Sequence, residues 1–379
     1  MLAWFLAGLA ALSLALLLWQ WLEGARFPLH RRGPAPDFAP PLTLLKPLKG
    51  ADAQTAACLR SWLAQDYPGP VQVLFAVADE TDPAAAVVRQ LLTEFPAADA
   101  QLVHCPERLG PNAKVSQLAQ LEARARHALW VVSDADVAVP PDFLRQLVRP
   151  FREPAPAGLA CAFYELATPA SPAMHAEALA VNADFWTSVL QARRLGPMRF
   201  ALGAVMAVRR ELVQRLGGFR ALVEHLADDY ELGRRVAALG GRVELLPVVA
   251  ACREAPRGAR AVWRHQLRWT RTIRHCQPLP FAFSLLANPT LWPLAWLAAA
   301  PGRVAAAGLA LCLGVRLVMA AHCQVRLTRS WRHLPWLGWA PIKDLLAVAL
   351  WALAFFGNTV EWRGERYRVR PGGRLERCG

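Results

Sequence analysis

The chain opens on an apolar run, residues 2–22, as long as a membrane-spanning helix needs to be. No Lys or Arg precedes it, and Arg26, Arg31 and Arg32 follow it. The positive-inside rule then predicts an outer N-terminus and a cytosolic chain from residue 25. A cleaved signal sequence is the rival reading, but the run is long and its basic flank is on the wrong side. From about residue 41 to 277, short apolar runs alternate with amphipathic stretches. Strands are predicted at Leu42–Leu45, Val71–Ala78, Gln101–His104 and Ala128–Ser133, and helices at Thr55–Leu63, Pro83–Phe95, Val115–Arg126 and 228–239. Strands alternating with helices of this length predict a parallel, Rossmann-like α/β sheet.

Beyond residue 278 the pattern changes again. Residues 281–300, 304–321 and 334–357 are apolar, with Trp292, Trp296, Trp331, Trp336, Trp339 and Trp351 mostly near segment ends, as in a membrane-interface belt. The first is interrupted by Asn288-Pro289, and the third carries Lys343 and Asp344. A cytosolic domain and a cytosolic basic C-terminus need an even number of crossings between them, so 281–300 is expected to be split, interfacial or re-entrant. The expected organisation is an anchor at 1–24, a cytosolic domain at 25–277, membrane segments at 278–358 and a basic cytosolic tail at 359–379.

Composition sharpens this picture. The chain is 55% hydrophobic and 19% charged, with a formal net charge of +14. The basic residues gather beside the apolar segments, which points to a membrane surface and not to nucleic acid. The eight cysteines form no CxxC pair, and no HExxH accompanies them, so neither a disulfide framework nor a structural zinc site is expected. Trp62, Trp186 and Trp263 read as packing residues; His104, His127 and His175 have no ligand spacing.

Candidate chemistry lies in the acids. Asp79 follows one strand; Asp134 and Asp136 follow another as Asp-Ala-Asp; Asp228 and Asp229 open an amphipathic helix. Carboxylates past strand ends face the crevice where ligands bind in open α/β sheets. Two of them, two residues apart, suit a hard divalent cation that also takes diphosphate oxygens. Taken singly, a DxD also reads as a solvated turn, and acids at a helix start as caps.

The ordered series resembles the ceramide glucosyltransferase-like family of inverting GT-A glycosyltransferases, nearest its bacterial branch associated with hopanoid biosynthesis. It is carried by LLKPLKGAD (44–52), QDYP (65–68), VLFAVADETDPA (73–84), GPNAKV (110–115), VVSDAD (131–136), GGF (217–219), ADDYELG (227–233) and HQLRWTR (265–271). The resemblance implies a GT-A (Rossmann-like) domain flanked by transmembrane helices, in the bacterial inner membrane. It implies that Asp79 binds uridine, that Asp134 and Asp136 hold ribose and a Mg²⁺ or Mn²⁺ diphosphate, and that Asp229 is the general base. Arg268 and Trp269 match the (Q/R)xxRW element near the diphosphate and acceptor. Lys46 and Lys114 look like donor-site residues, and Asp228 and His265 join the substrate-binding set. His265 departs from the motif's Q/R. Asp136 supplies a second DxD acid that the animal enzymes lack.

The expected reaction moves one sugar, N-acetylglucosamine ahead of glucose, from its UDP form to a lipid hydroxyl, with a hopanoid polyol such as bacteriohopanetetrol as acceptor. Ceramide or a polyprenyl phosphate are alternative acceptors. A transporter or scaffold explains the apolar ends and leaves the ordered aspartates unexplained.

Overall fold

The computed structural model describes residues 1–33, 38–152, 156–362 and 365–378. Its centre is one eight-stranded sheet. The strands are β1 (Leu42–Pro47), β2 (Val71–Val77), β3 (Ala100–His104), β4 (Leu129–Ser133), β5 (Val137–Ala138), β6 (Leu159–Leu166), β7 (Val205–Arg209) and β8 (Val243–Cys252), in the order β3-β2-β1-β4-β7-β6-β8-β5.

β1 and β4 are buried along their whole length and β2 along nearly all of its. This is why they read as continuous apolar runs without alternation. Helices joining them cover both faces. Two of them start on an N-cap side chain that satisfies orphan amides. Asp82 accepts from Ala84 N at the helix Pro83–Glu94. Asn112 accepts from Val115 N at the helix Ala113–Leu121.

The parallel sheet expected from the sequence holds only in part. β3, β2, β1 and β4 are parallel, as are β6 and β8. β7 runs antiparallel to both β4 and β6, and β5 antiparallel to β8. The reversal puts the segment entering β7 beside the exit of β4: Asp134 N donates to Ala204 O at 3.2 Å. One further chain segment thereby reaches the place where β4 ends.

Among the described residues, three helices are long and apolar enough to cross a membrane: Leu2–Arg26, Arg303–Thr328 and Leu334–Phe355. The stretch 281–300 is not one continuous helix. It forms the last part of the pair Pro278–Ala287 and Leu291–Ala299, bent by 54° at a break that contains Pro289. The core on one face of the sheet continues into these helices, joining Leu17, Met319, Ala320, Cys323 and Leu327 to Trp186 and Phe163.

A buried ionic cluster reinforces the junction. Arg316, 1% exposed, donates to Asp184 at 2.7 and 2.8 Å and to Asp344 twice at 2.9 Å. Lys343 pairs with both acids, and Thr290 Oγ1 donates to Asp344 at 2.8 Å. Asp184 sits in a π-helical turn, Ala180–Phe185, that links the helices Pro172–Leu179 and Trp186–Leu195.

The segment expected as a basic tail is folded. β9 (Thr359–Trp362), β10 (Glu365–Val369) and β11 (Leu375–Arg377) form a three-stranded antiparallel sheet. Val360, Tyr367, Val369 and Leu375 pack on Leu226 of the domain built on the eight-stranded sheet, and Glu365 pairs with Arg108 at 2.8 Å.

Candidate active site

The carboxyl ends of β1 and β4 meet over one buried lysine. Lys46, fully buried near the end of β1, donates to Ser133 Oγ at 3.2 Å and to the carbonyl of Asp134. Burial lowers its pKa to about 8, against the raising pull of Asp136 and Asp134. Lys46 therefore pins the turn that carries the DxD pair. Asp136 is held from its backbone: its carbonyl accepts from Arg253 N at 2.8 Å and from Cys58 Sγ at 3.2 Å. Its carboxyl is pushed up to about 7, first by burial, then by Asp134 and Glu254.

Lys114 stands in the first turn of the helix after β3. Its ammonium lies 2.8 Å from Asp134 Oδ1 and 3.1 Å from Asp228 Oδ2. Burial opposes its charge, but the two carboxylates outweigh that and hold its pKa well above the usual lysine value. Asn112 supports the pair from behind, donating to His225 O at 2.9 Å and to Asp228 Oδ1 at 3.4 Å. Asp229, next along the helix Asp228–Ala238, is partly buried. Its carboxyl is raised to about 6, by burial first and then by Asp228, while Lys114 pulls it down. Its Oδ2 lies against Gly203: a Cβ there would come within 2.7 Å.

The third group lies on the helix Ala259–Cys276. His265, Arg268 and Trp269, at i, i+3 and i+4, share one face. The His265 and Trp269 rings are 4.6 Å apart. Glu177, 3% exposed, accepts from Gln266 at 2.8 Å and from Arg257 at 2.6 Å, and its Oε1 is 2.6 Å from His265 Nδ1. Burial works to raise this carboxyl; His265, Arg257 and Gln266 outweigh it and hold Glu177 ionised below its ordinary range. Arg257 also pairs with Glu254, which follows β8.

The structure thus brings Lys46, Lys114, Asp134, Asp136, Asp228 and Asp229 together at one sheet edge. Asp79 stands at the same edge past β2, exposed, with its hydrogen bonds made locally to Thr81 N and Oγ1. Asn112, Gly203 and Glu177 are site residues that sequence reasoning missed. Asn112 lies inside the GPNAKV element. Gly203 and Glu177 carry no pattern of their own.

Asp134 and Asp136 suit a divalent cation. Among the described residues no three His, Cys, Asp or Glu side chains form an all-protein cage. Magnesium is ordinarily held by one or two carboxylates with substrate phosphates completing the shell, and the crowded, raised carboxyl of Asp136 fits such a half-built site.

A sheet of this topology, with acids gathered past β4 and flanking membrane helices, is the architecture of a GT-A-like glycosyltransferase. The chain belongs to glycosyl transferase family 21, whose profile matches residues 4–375. It is 31% identical over 118 residues to the ceramide glucosyltransferase of Komagataella phaffii (strain GS115 / ATCC 20864), covering 30% of this chain and 23% of that one. It is 30% identical over 113 residues to ceramide glucosyltransferase 1 of Caenorhabditis elegans, covering 30% and 24%. The match spans about a quarter of the length of these curated relatives. Among solved structures, the mannosyltransferase PcManGT from Pyrobaculum calidifontis, in complex with GDP-Man and Mn²⁺, aligns over 92% of this chain and 99% of its own, with TM-score 0.55 and 22% identity. That likeness is one of fold.

Proposed function

We propose that this enzyme is a membrane-bound inverting glycosyltransferase that moves one sugar from a UDP-sugar to the hydroxyl of a membrane lipid. The observation that carries the reading is the Lys114 bridge, which joins the DxD turn to the Asp228-Asp229 pair at one crevice. In this reading Asp79 takes the uridine base and Asp134 the ribose and diphosphate, with Lys114 adding a fixed positive charge beside them. Asp136 and Asp134 would hold Mg²⁺ or Mn²⁺, which would supply charge neutralisation for a departing diphosphate.

Asp229 takes the proton of the attacking hydroxyl. Its raised pKa suits a base working near neutral pH. Attack and departure occur on opposite faces of the sugar, so one base serves and no covalent intermediate is required. Arg268 and Trp269 lie at the diphosphate and acceptor end, and the Glu177–His265 contact orients that face. The structure gives His265 a definite neighbour, and in this reading it positions Trp269.

The three long apolar helices and the bent pair hold the cleft at a bilayer surface, with residues 25–277 cytosolic and the whole a multi-pass protein of a bacterial inner membrane. The acceptor is a hopanoid polyol, and the donor sugar N-acetylglucosamine ahead of glucose. Ceramide is the second acceptor, because the similar proteins of Komagataella phaffii and Caenorhabditis elegans are ceramide glucosyltransferases.

The test is purified full-length protein in nanodiscs, given labelled UDP-N-acetylglucosamine or UDP-glucose and either bacteriohopanetetrol or ceramide. One labelled sugar on the hopanoid, lost with excess chelator and with Asp229→Asn, supports the reading. Transfer to ceramide alone assigns the second acceptor. No lipid product from either donor overturns the proposal.

A further inference from the structure

Behind the helix Asp228–Ala238, on the side away from Gly203, lies an open cavity of about 270 Å³ between that helix, the end of the helix Ala259–Cys276 and the C-terminal sheet. It is lined by His225, Arg234, Arg235, His275 and Arg374 together with Glu231. Glu231 is already committed: Arg234 donates to it at 2.7 and 2.8 Å and Arg235 at 2.6 Å. Three guanidinium groups against Glu231 and the more distant Glu224 leave the wall net positive. Arg374 is the least engaged, 3.9 Å from Glu224 with its side chain 64% exposed. Within this wall His225 is 6% exposed, with its Nε2 3.7 Å from Glu231 Oε1.

We propose that this cavity binds a phosphate-type oxyanion, and that its occupancy bears on the catalytic crevice. Arg374, with the outward N–H groups of Arg234 and Arg235, supplies charge-assisted donors. The route to the crevice is short. The carbonyl of His225 accepts from Asn112 Nδ2, and the same amide donates to Asp228. Arg374 pairs with His225 as an isolated β-bridge, so the folded C-terminal segment completes the site. The link to catalysis rests on the function proposed above; the binding site does not.

The group could be free phosphate or the phosphodiester of an anionic lipid headgroup. The test uses the full chain in neutral detergent with UDP and Mg²⁺ saturating the donor cleft, titrated with inorganic phosphate by calorimetry. Saturable binding is expected in wild type, at least tenfold weaker in Arg374→Gln and restored in Arg374→Lys; the exposure of Arg374 leaves the fold of these variants intact, as near-UV circular dichroism should show. Absence of binding, or equal binding in Arg374→Gln, overturns the site, and binding that UDP abolishes assigns the phosphate to the donor cleft instead. Repeating the titration in phosphatidylcholine and phosphatidylglycerol nanodiscs separates the sources: a headgroup ligand suppresses the phosphate isotherm only in the anionic discs, and free phosphate binds equally in both. The coupling predicts at least a twofold change in the sugar-transfer rate on adding phosphate, absent in Arg374→Gln; an unchanged rate in wild type overturns the Asn112 link.

Discussion

Lys114 ends 2.8 Å from Asp134, so the helix after β3 is fastened to the turn after β4 by a single ion pair. The same ammonium reaches Asp228 at 3.1 Å. Three segments distant in sequence thereby share one charge; Lys114 and Asp228 are largely buried, whereas the Asp134 side chain is 40% exposed. Removing the cation is costly chiefly through Asp228, whose charge stays buried and uncompensated.

Lys114→Met should therefore leave Asp134 and Asp228 facing each other without a cation. UDP affinity should fall at least tenfold and the transfer rate further. Lys114→Arg should recover little, since a planar fork does not replace a compact ammonium bridging two carboxylates. Calorimetric titration with UDP and initial rates check both.

Asp229→Asn keeps the size of the side chain and removes its basicity. The rate should fall roughly 10²–10⁴-fold, the usual worth of a general base, with UDP binding nearly unchanged. Asp228→Asn should behave differently: its carboxylate is tied to Lys114 and Asn112, so its loss should appear in UDP affinity. A dead Asp228→Asn with intact UDP binding, beside an active Asp229→Asn, would move the base by one residue.

The pH profile follows from the same carboxylate. Asp229 is raised to about 6, so it is ionised at neutral pH and takes up its proton as pH falls through that value. Below it, kcat/KM should drop about tenfold per pH unit. The residual rate of Asp229→Asn should lack this acid limb. A limb that persists in the variant would belong to another group.

Much of this was legible in the sequence because it is local. The strand ends at Asp79 and Asp134 and the helices at Thr55 and Pro83 follow from apolar runs and their caps. The antiparallel β7 was not legible: VMAVR reads as any buried strand, and its direction is decided by pairing with β4 and β6. The folded C-terminus was masked by its arginines, whose charge hides the alternation of Val360, Tyr367, Val369 and Leu375. Glu177 was invisible because a lone acid in an alanine-rich helix signals nothing until His265, Gln266 and Arg257 are folded onto it.

Asp344 offers a stability test independent of catalysis. It is 3% exposed and bound by Arg316, Lys343 and Thr290, whereas Asp142 pairs with Arg32 at the surface. Asp344→Ala should cost about 3–5 kcal/mol, as breaking a buried pair does. Asp142→Ala should cost no more than about 1 kcal/mol. Thermal unfolding in one detergent, measured side by side, should rank them in that order; equal shifts would show that the buried cluster does not tie the domain to its membrane helices.

Gly203→Ala tests whether the position of Asp229 matters as much as its charge. Nothing in the backbone of Gly203 requires a positive φ, so alanine brings no conformational strain there. Its methyl would, however, fall 2.7 Å from Asp229 Oδ2 and 3.2 Å from Asp229 Cβ. The carboxylate tip could swing away; the Cβ, fixed to the first turn of the helix, cannot move without shifting Asp228 as well. The variant should fold with a melting temperature near that of wild type, since only one side chain must yield. Its transfer rate should fall at least tenfold, because a misplacement of about 1 Å at a reacting group can cost 10²-fold. Gly203→Ser should be worse, being larger. If Gly203→Ala keeps full activity, Asp229 works from an orientation turned away from β7, and the proton is taken on the other side of the helix start.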